Sequence, residues 1–127
     1  MTRQPKFDVR PGACDSHIHA YGNKSQFPSM PVNGREMKDH YLDDYIAVRD
    51  ALGLSRTVII QTPQYSNDNA SMLDSLAALG LYKARGIAVT APDISDAELE
   101  SLHAGGVRGV RHAPGTSRNL RGAGRAV

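Results

Sequence analysis

The sequence predicts an α/β fold of parallel strands, and three observations carry that expectation. Four short apolar or β-branched runs alternate with three segments of helical period, in the order β-loop-α-β-α-β-α-β. The later strands recur every twenty-odd residues, which is the spacing of consecutive right-handed βαβ units. Thr57-Val58-Ile59-Ile60 is a continuous β-branched run, which suits a strand covered on both faces better than an alternating surface strand.

Residues 1–12 are polar with two prolines and form an irregular lead-in. ACDSHIHA, residues 13–20, supplies the first strand, and YGNKSQFPSMPVNG behind it is a long loop by its Gly, Pro and Asn content. From Leu42 the period changes. Leu42, Tyr45, Ile46, Val48 and Leu52 recur at helical spacing, and Gly53 suits the helix exit. The second strand, 57–60, leads into the polar loop QTPQYSNDNA, where Asn67 or Asp68 can cap the next helix through a side-chain oxygen. Met72, Leu73, Leu76 and Leu79 form that helix's buried stripe, and Gly80 ends it. ARGIAV, 84–89, is the third strand. Ser95 and Glu98 are then spaced as a capping box, with Ile94 and Leu99 at the positions of a hydrophobic staple. Gly105-Gly106 closes this third helix, and VRGVR, 107–111, is the fourth strand.

Two architectures fit this order, an open doubly wound sheet and part of a barrel. No GxGxxG or GxxxxGK[ST] motif occupies the first strand–helix turn, so the nucleotide-binding open sheets lose support. The expected fold is therefore the N-terminal part, about three and a half βα units, of a TIM-like (β/α)₈ barrel. The 127 residues are about half of the roughly 250 in a complete barrel. Residues 1–111 form the expected partial barrel. Residues 112–127 form a basic tail without helical or strand period, expected either as a flexible tail or as a shifted or early-ended reading frame.

Composition narrows the function classes. Cys14 is the single cysteine, which excludes an internal disulfide and a Cys-rich zinc module and makes the cytoplasm the expected location. No stretch reaches the roughly 18 apolar residues of a membrane span, so no membrane partner is expected. The formal charge is +2, but Arg118, Arg121 and Arg125 lie in a tail that holds no acid. Residues 1–111 carry twelve bases against thirteen acids, which is a poor footprint for nucleic acid.

Asp15-Ser16-His17-Ile18-His19 is the local constellation with a chemical logic. Residues two apart on a strand share a face, so the two imidazoles converge while Ile18 packs behind them. Neutral imidazole nitrogen binds a divalent metal, zinc foremost, and two His on one strand fix half of a tetrahedral shell. Such a metal lowers the pKa of bound water and polarises a carbonyl. Without metal the pair can hydrogen-bond a substrate carboxylate or carbonyl. The other reading of this spacing is two part-buried His bonded to backbone. The location favours a site, because parallel βα folds place their chemistry at the C-terminal ends of the strands.

PGACDSHIHAYG, ALGLSR, VIIQTPQYSNDNASMLDSL and RGIAV through ISDAELESLHAGGVRGVR together resemble the N-terminal part of the amidohydrolase superfamily. Within it they are similar to the "amidohydrolase 2" branch that includes pyrone-dicarboxylate lactonase, over about residues 10–111. The resemblance implies a TIM-like barrel that hydrolyses a lactone, amide or similar carbonyl compound with an activated water. It implies as substrate a small carboxylate-bearing breakdown product of aromatic compounds. His17 and His19 match the first-strand pair, which binds metal in most of the superfamily and hydrogen-bonds substrate without metal in the lactonase branch. Gln61 and Tyr65, on the loop after the second strand, match the region of substrate contacts, although Thr62-Pro63 departs from the family's order there. The family's further His residues and the Asp that acts as base lie on later strands, which implies that this chain alone is inactive.

The remaining candidates read as structural. Asp68 is expected as a helix cap, His103 as a cation at a helix C-terminus, His40 as part of a polar lead-in and His112 as solvent-facing. Cys14 alternates away from the His pair and is expected as a small packed residue. A different class of function, a non-catalytic half-barrel that binds or self-assembles through its open strand edges, predicts a homo-oligomer.

Overall fold

A computed structural model describes residues 3–36, 38 and 40–112. The expected tail from residue 113 onward lies outside the described residues. The elements are β1 (Cys14–Ile18), α1 (Leu42–Ala51), β2 (Arg56–Ile60), a 3-10 turn (Pro63–Tyr65), α2 (Ala70–Leu79), β3 (Ala84–Ala88), α3 (Asp96–Ala104) and β4 (Val107–Val110). The strands form one sheet in the order β1-β2-β3-β4, and every neighbouring pair is parallel. Consecutive parallel strands joined through helices are the βαβ repeat that the sequence period predicts.

The core lies between one face of this sheet and the helices. Ile59, Met72, Leu76, Ala84, Ala88 and Val107 are its buried members, with Ile18, Leu73, Leu79 and Leu102 packed against them. Burial in β3 alternates, with Ala84, Gly86 and Ala88 inside and Arg85 and Ile87 only half-buried. The register carries that alternation across the sheet, because Val58 pairs with Arg85 and Ile60 with Ile87. Val58 is accordingly half-buried, whereas Ile60 on the same face is buried, so the β-branched run 57–60 is covered on both faces with its one opening at Val58.

Helix α1 differs from its expected stripe. Val48 is 43% exposed, whereas Arg49 is buried. The positions one and two turns from Leu42 on its face are 45, 46 and 49, so the stem of Arg49 takes the place assigned to Val48. Its guanidinium donates to Asp50 Oδ1 from Nε at 3.0 Å and from Nη2 at 2.8 Å. Helix α3 starts as the capping box predicts. Glu98 N donates to Ser95 Oγ at 3.2 Å, and Ser95 N donates to Glu98 Oε2 at 3.0 Å. Ahead of α2 the N-cap is Asn69, which makes no side-chain capping bond, so the cap expected of Asn67 or Asp68 is not formed; Asp68, one residue before the cap, accepts from Ala70 N at 3.1 Å through Oδ1.

Candidate active site

The C-terminal ends of the strands gather the candidate residues, and the course of β1 decides how. Asp15 pairs with Thr57 and Ile18 with Ile59, with a shift of register between them. Three steps on β1 thus match two on β2, which is a β-bulge. Thr57 and Ile59 are both buried, so Asp15 and Ile18 lie on the helix-covered face although they are three residues apart. His17 and His19 flank Ile18 and leave the other side. Their ring centroids are 5.1 Å apart with planes at 86°, an edge-to-face pair. Both residues are exposed.

The same bulge corrects the reading of Cys14. The thiol residue is exposed rather than packed. It pairs with Arg56, on the face opposite Asp15, so the extra residue brings it to the side of the His pair instead of away from it.

The two imidazoles are held differently. His19 Nδ1 lies 2.9 Å from the Ile60 carbonyl oxygen. A carbonyl only accepts, so Nδ1 carries the proton and neutral His19 presents Nε2 as an acceptor. A concavity of about 630 Å³ bounded by Tyr21, Phe27, Tyr45 and Ser71 includes His19 but not His17. As a metal centre the donor set is short. Among the described residues no group of three His, Cys, Asp or Glu is placed to hold an ion. Two imidazoles do not by themselves fit a metal site.

Gln61 and Tyr65 are buried, at 2% and 5% exposure. Gln61 Nε2 donates to the carbonyls of Ser66 at 3.2 Å and Asp68 at 2.6 Å. Tyr65 Oη accepts from Gly22 N at 3.0 Å and ties the loop after β1 to the turn after β2. The polar atoms expected to meet a substrate are thus engaged in fixing the loops around the His pair. Asn69 does similar work between β3 and α2, where its side chain donates to the Val89 carbonyl at 2.8 Å and accepts from Val89 N at 3.2 Å. His112 is exposed as expected, His103 lies in the last turn of α3 as expected, and His40 forms an isolated antiparallel bridge with Tyr21.

One residue that sequence reasoning missed is Arg111. It follows β4 directly, donates N–H to the Ala88 carbonyl at 2.8 Å, and reaches back with Nη1 to 3.4 Å from the Gln61 carbonyl. Its position at the C-terminal end of a strand was the available signal, obscured because VRGVR also reads as plain strand.

Consecutive parallel βα units, with an imidazole pair at the end of the first strand, are the architecture of an α/β barrel's N-terminal part. The chain belongs to the amidohydrolase family, which it matches over residues 14–121. The match runs beyond residue 111, into the stretch read as tail. The chain is 41% identical over 108 residues to a 2-pyrone-4,6-dicarboxylate hydrolase of Comamonas testosteroni, covering 85% of this chain and 35% of that protein. It is 30% identical over 112 residues to a 4-sulfomuconolactone hydrolase of Rhizobium radiobacter, covering 84% and 36%. Among solved structures, an Agrobacterium tumefaciens protein superposes with a TM-score of 0.71 at 24% identity, over 86% of this chain and 38% of that one. A Pseudomonas putida protein, named as a 2-pyrone-4,6-dicarboxylic acid hydrolase, superposes with a TM-score of 0.67 at 30% identity, over 81% and 37%. The chain therefore spans about a third of the length of the curated relatives it matches. The fold is that of the N-terminal βα units of a TIM-like barrel.

Proposed function

We propose that this chain supplies the first-strand histidine pair of a site that hydrolyses a lactone or similar carbonyl compound bearing carboxylates. The observation that carries the reading is the 5.1 Å edge-to-face pair of His17 and His19 at the end of β1, with His19 Nε2 left free by the bond from Nδ1 to Ile60. The names of the two curated relatives, both lactone hydrolases, support the same substrate class. A ring N–H of His17 can donate to the carbonyl oxygen and stabilise the charge that develops there as water attacks. His19 Nε2 can accept a proton from a bound water or hydroxyl. Arg111 offers a guanidinium fork suited to a carboxylate on the same substrate. Gln61 and Tyr65 act in this reading by holding the loops that border the substrate.

Titration of the chain with 2-pyrone-4,6-dicarboxylate, followed by the ring resonances of His17 and His19, tests the proposal. Saturable shifts at both rings are expected, with affinity lowered roughly tenfold in Arg111→Ala, the scale of one charge-assisted bond. Rings that stay unshifted at millimolar ligand sink it. A second reading, self-association through the sheet edge, is favoured by Val110 at 52% and Leu99 at 41% exposure beside β4. It requires a dimer in sedimentation that Val110→Lys dissolves.

A further inference from the structure

We propose that Asp15 is a positioning residue: its carboxylate, held by the Tyr45 hydroxyl, fixes the β1 bulge that turns Asp15 away from the face on which His17 and His19 meet. Regular alternation back from Ile18 would place Asp15, His17 and His19 on one face. The register shows instead that Asp15 stands opposite buried Thr57, on the face that carries Ile18 and Ile59. A carboxylate half-buried on that apolar face needs partners, and it has them. Its Oδ1 accepts the backbone N–H of His17 at 3.3 Å, and its Oδ2 accepts from Tyr45 Oη at 3.4 Å. The same hydroxyl lies 2.9 Å from Thr57 Oγ1, so one network joins α1, β1 and β2 at the point where the extra residue is inserted.

A bulge takes a backbone N–H out of the regular ladder, and an acceptor two residues back can satisfy it. The bond from His17 N to Asp15 is that acceptor contact, made by the residue whose own orientation the bulge reverses. The purpose of the arrangement rests on the hydrolytic reading above, whereas the geometry it builds does not.

The full chain carries the test, read by the ring-to-ring nuclear Overhauser effect between His17 and His19 and by the His17 amide shift, with no substrate present. In Asp15→Ala the ring contact is lost and the His17 amide moves, while the Asn69 and Val89 amides stay in place. Asp15→Asn keeps an acceptor oxygen and restores both signals. Tyr45→Phe removes only a hydroxyl, so it carries the test if the alanine variant does not fold: the ring contact weakens and the His17 amide shifts in the direction seen on losing the carboxylate. A ring contact that persists in Asp15→Ala with an unmoved His17 amide overturns the proposal. So does its absence from the unmodified chain, its equal loss in Asp15→Asn, or a Tyr45→Phe spectrum unchanged at His17. Failure of the substrate titration leaves these signals untouched, so the two readings fail separately.

Discussion

The two faces of the sheet are built from the same four strands but carry different burdens. On the helix-covered face Ile59, Leu76 and Ala88 are at most 1% exposed, and the Thr57 hydroxyl that enters it finds a partner in Tyr45 Oη. On the other face Ile60 is buried, but Val58, Arg85 and Ile87 are half-buried, and Cys14, His17 and His19 are exposed. Packing is therefore tighter on one side, and the candidate imidazoles stand at the end of the other. In α/β barrels that division is the rule, with packed layers below and reactive groups at the strand C-terminal ends.

The sharpest way to break this comparison is to remove matching bulk from each side. Leu76→Ala opens a cavity among Ile59, Met72 and Ala88 and is expected to cost about 2–5 kcal/mol in urea unfolding. Ile87→Ala, on the half-buried side, is expected to cost under about 1 kcal/mol, because less of its surface leaves water. Equal losses would mean that both faces carry the core.

Two glycines give a finer version of the same contrast. A Cβ on Gly86 would stand 2.9 Å from Leu76 Cδ1 and 3.1 Å from Met72 Sδ, atoms locked in the core. A Cβ on Gly109 would stand 2.9 Å from Ile87 Cδ1, the end of a side chain that can swing toward the open side. Neither glycine has a positive φ, so the difference is one of packing alone. Gly86→Ala should lose about 1–3 kcal/mol, and Gly109→Ala no more than about 0.5 kcal/mol, in the same unfolding measurement.

What could be read from the sequence follows the range of the interaction that fixes each feature. The Ser95–Glu98 box lies within one turn of chain, and its residues name the helix start without outside help. The alternation of β strands with helices and the convergence of His17 with His19 are likewise local, since a strand's pleat places residues two apart together. The bulge in β1 is not local. It exists only in register with Thr57 and Ile59, some forty residues on, and the orientations of Asp15 and Cys14 depend on it. Arg49 escaped for a related reason. A charged residue in an apolar stripe is read as exposed, although its stem can lie inward while its guanidinium meets Asp50 at the rim. Gln61 showed its loop position in sequence, but which carbonyls its amide would meet depended on how Ser66 and Asp68 fold back.

The smallest expected effect separates core packing from the local chemistry that starts the helices covering it. The Ser95 backbone N–H, and then its hydroxyl, hold the exposed Glu98 carboxyl below its ordinary value of 4.5. A carboxyl whose pKa is depressed by folding stabilises the fold above its unfolded value, and that contribution fades as pH falls through the lower, folded value. Acidification from about pH 6 to about pH 3 should therefore lower the protection of the amides in the first turn of α3, measured against their intrinsic exchange rates. Glu98→Gln keeps an acceptor for the Ser95 N–H but cannot titrate, so its first-turn exchange, corrected for intrinsic rate, should lose the pH dependence assigned to the box. The buried amides of Met72 and Leu76 should answer alike in both chains, because the face they line is held by packing. If they instead track Glu98, the covering helices and the core beneath them open as one unit, and the division between local start signals and packed face does not hold.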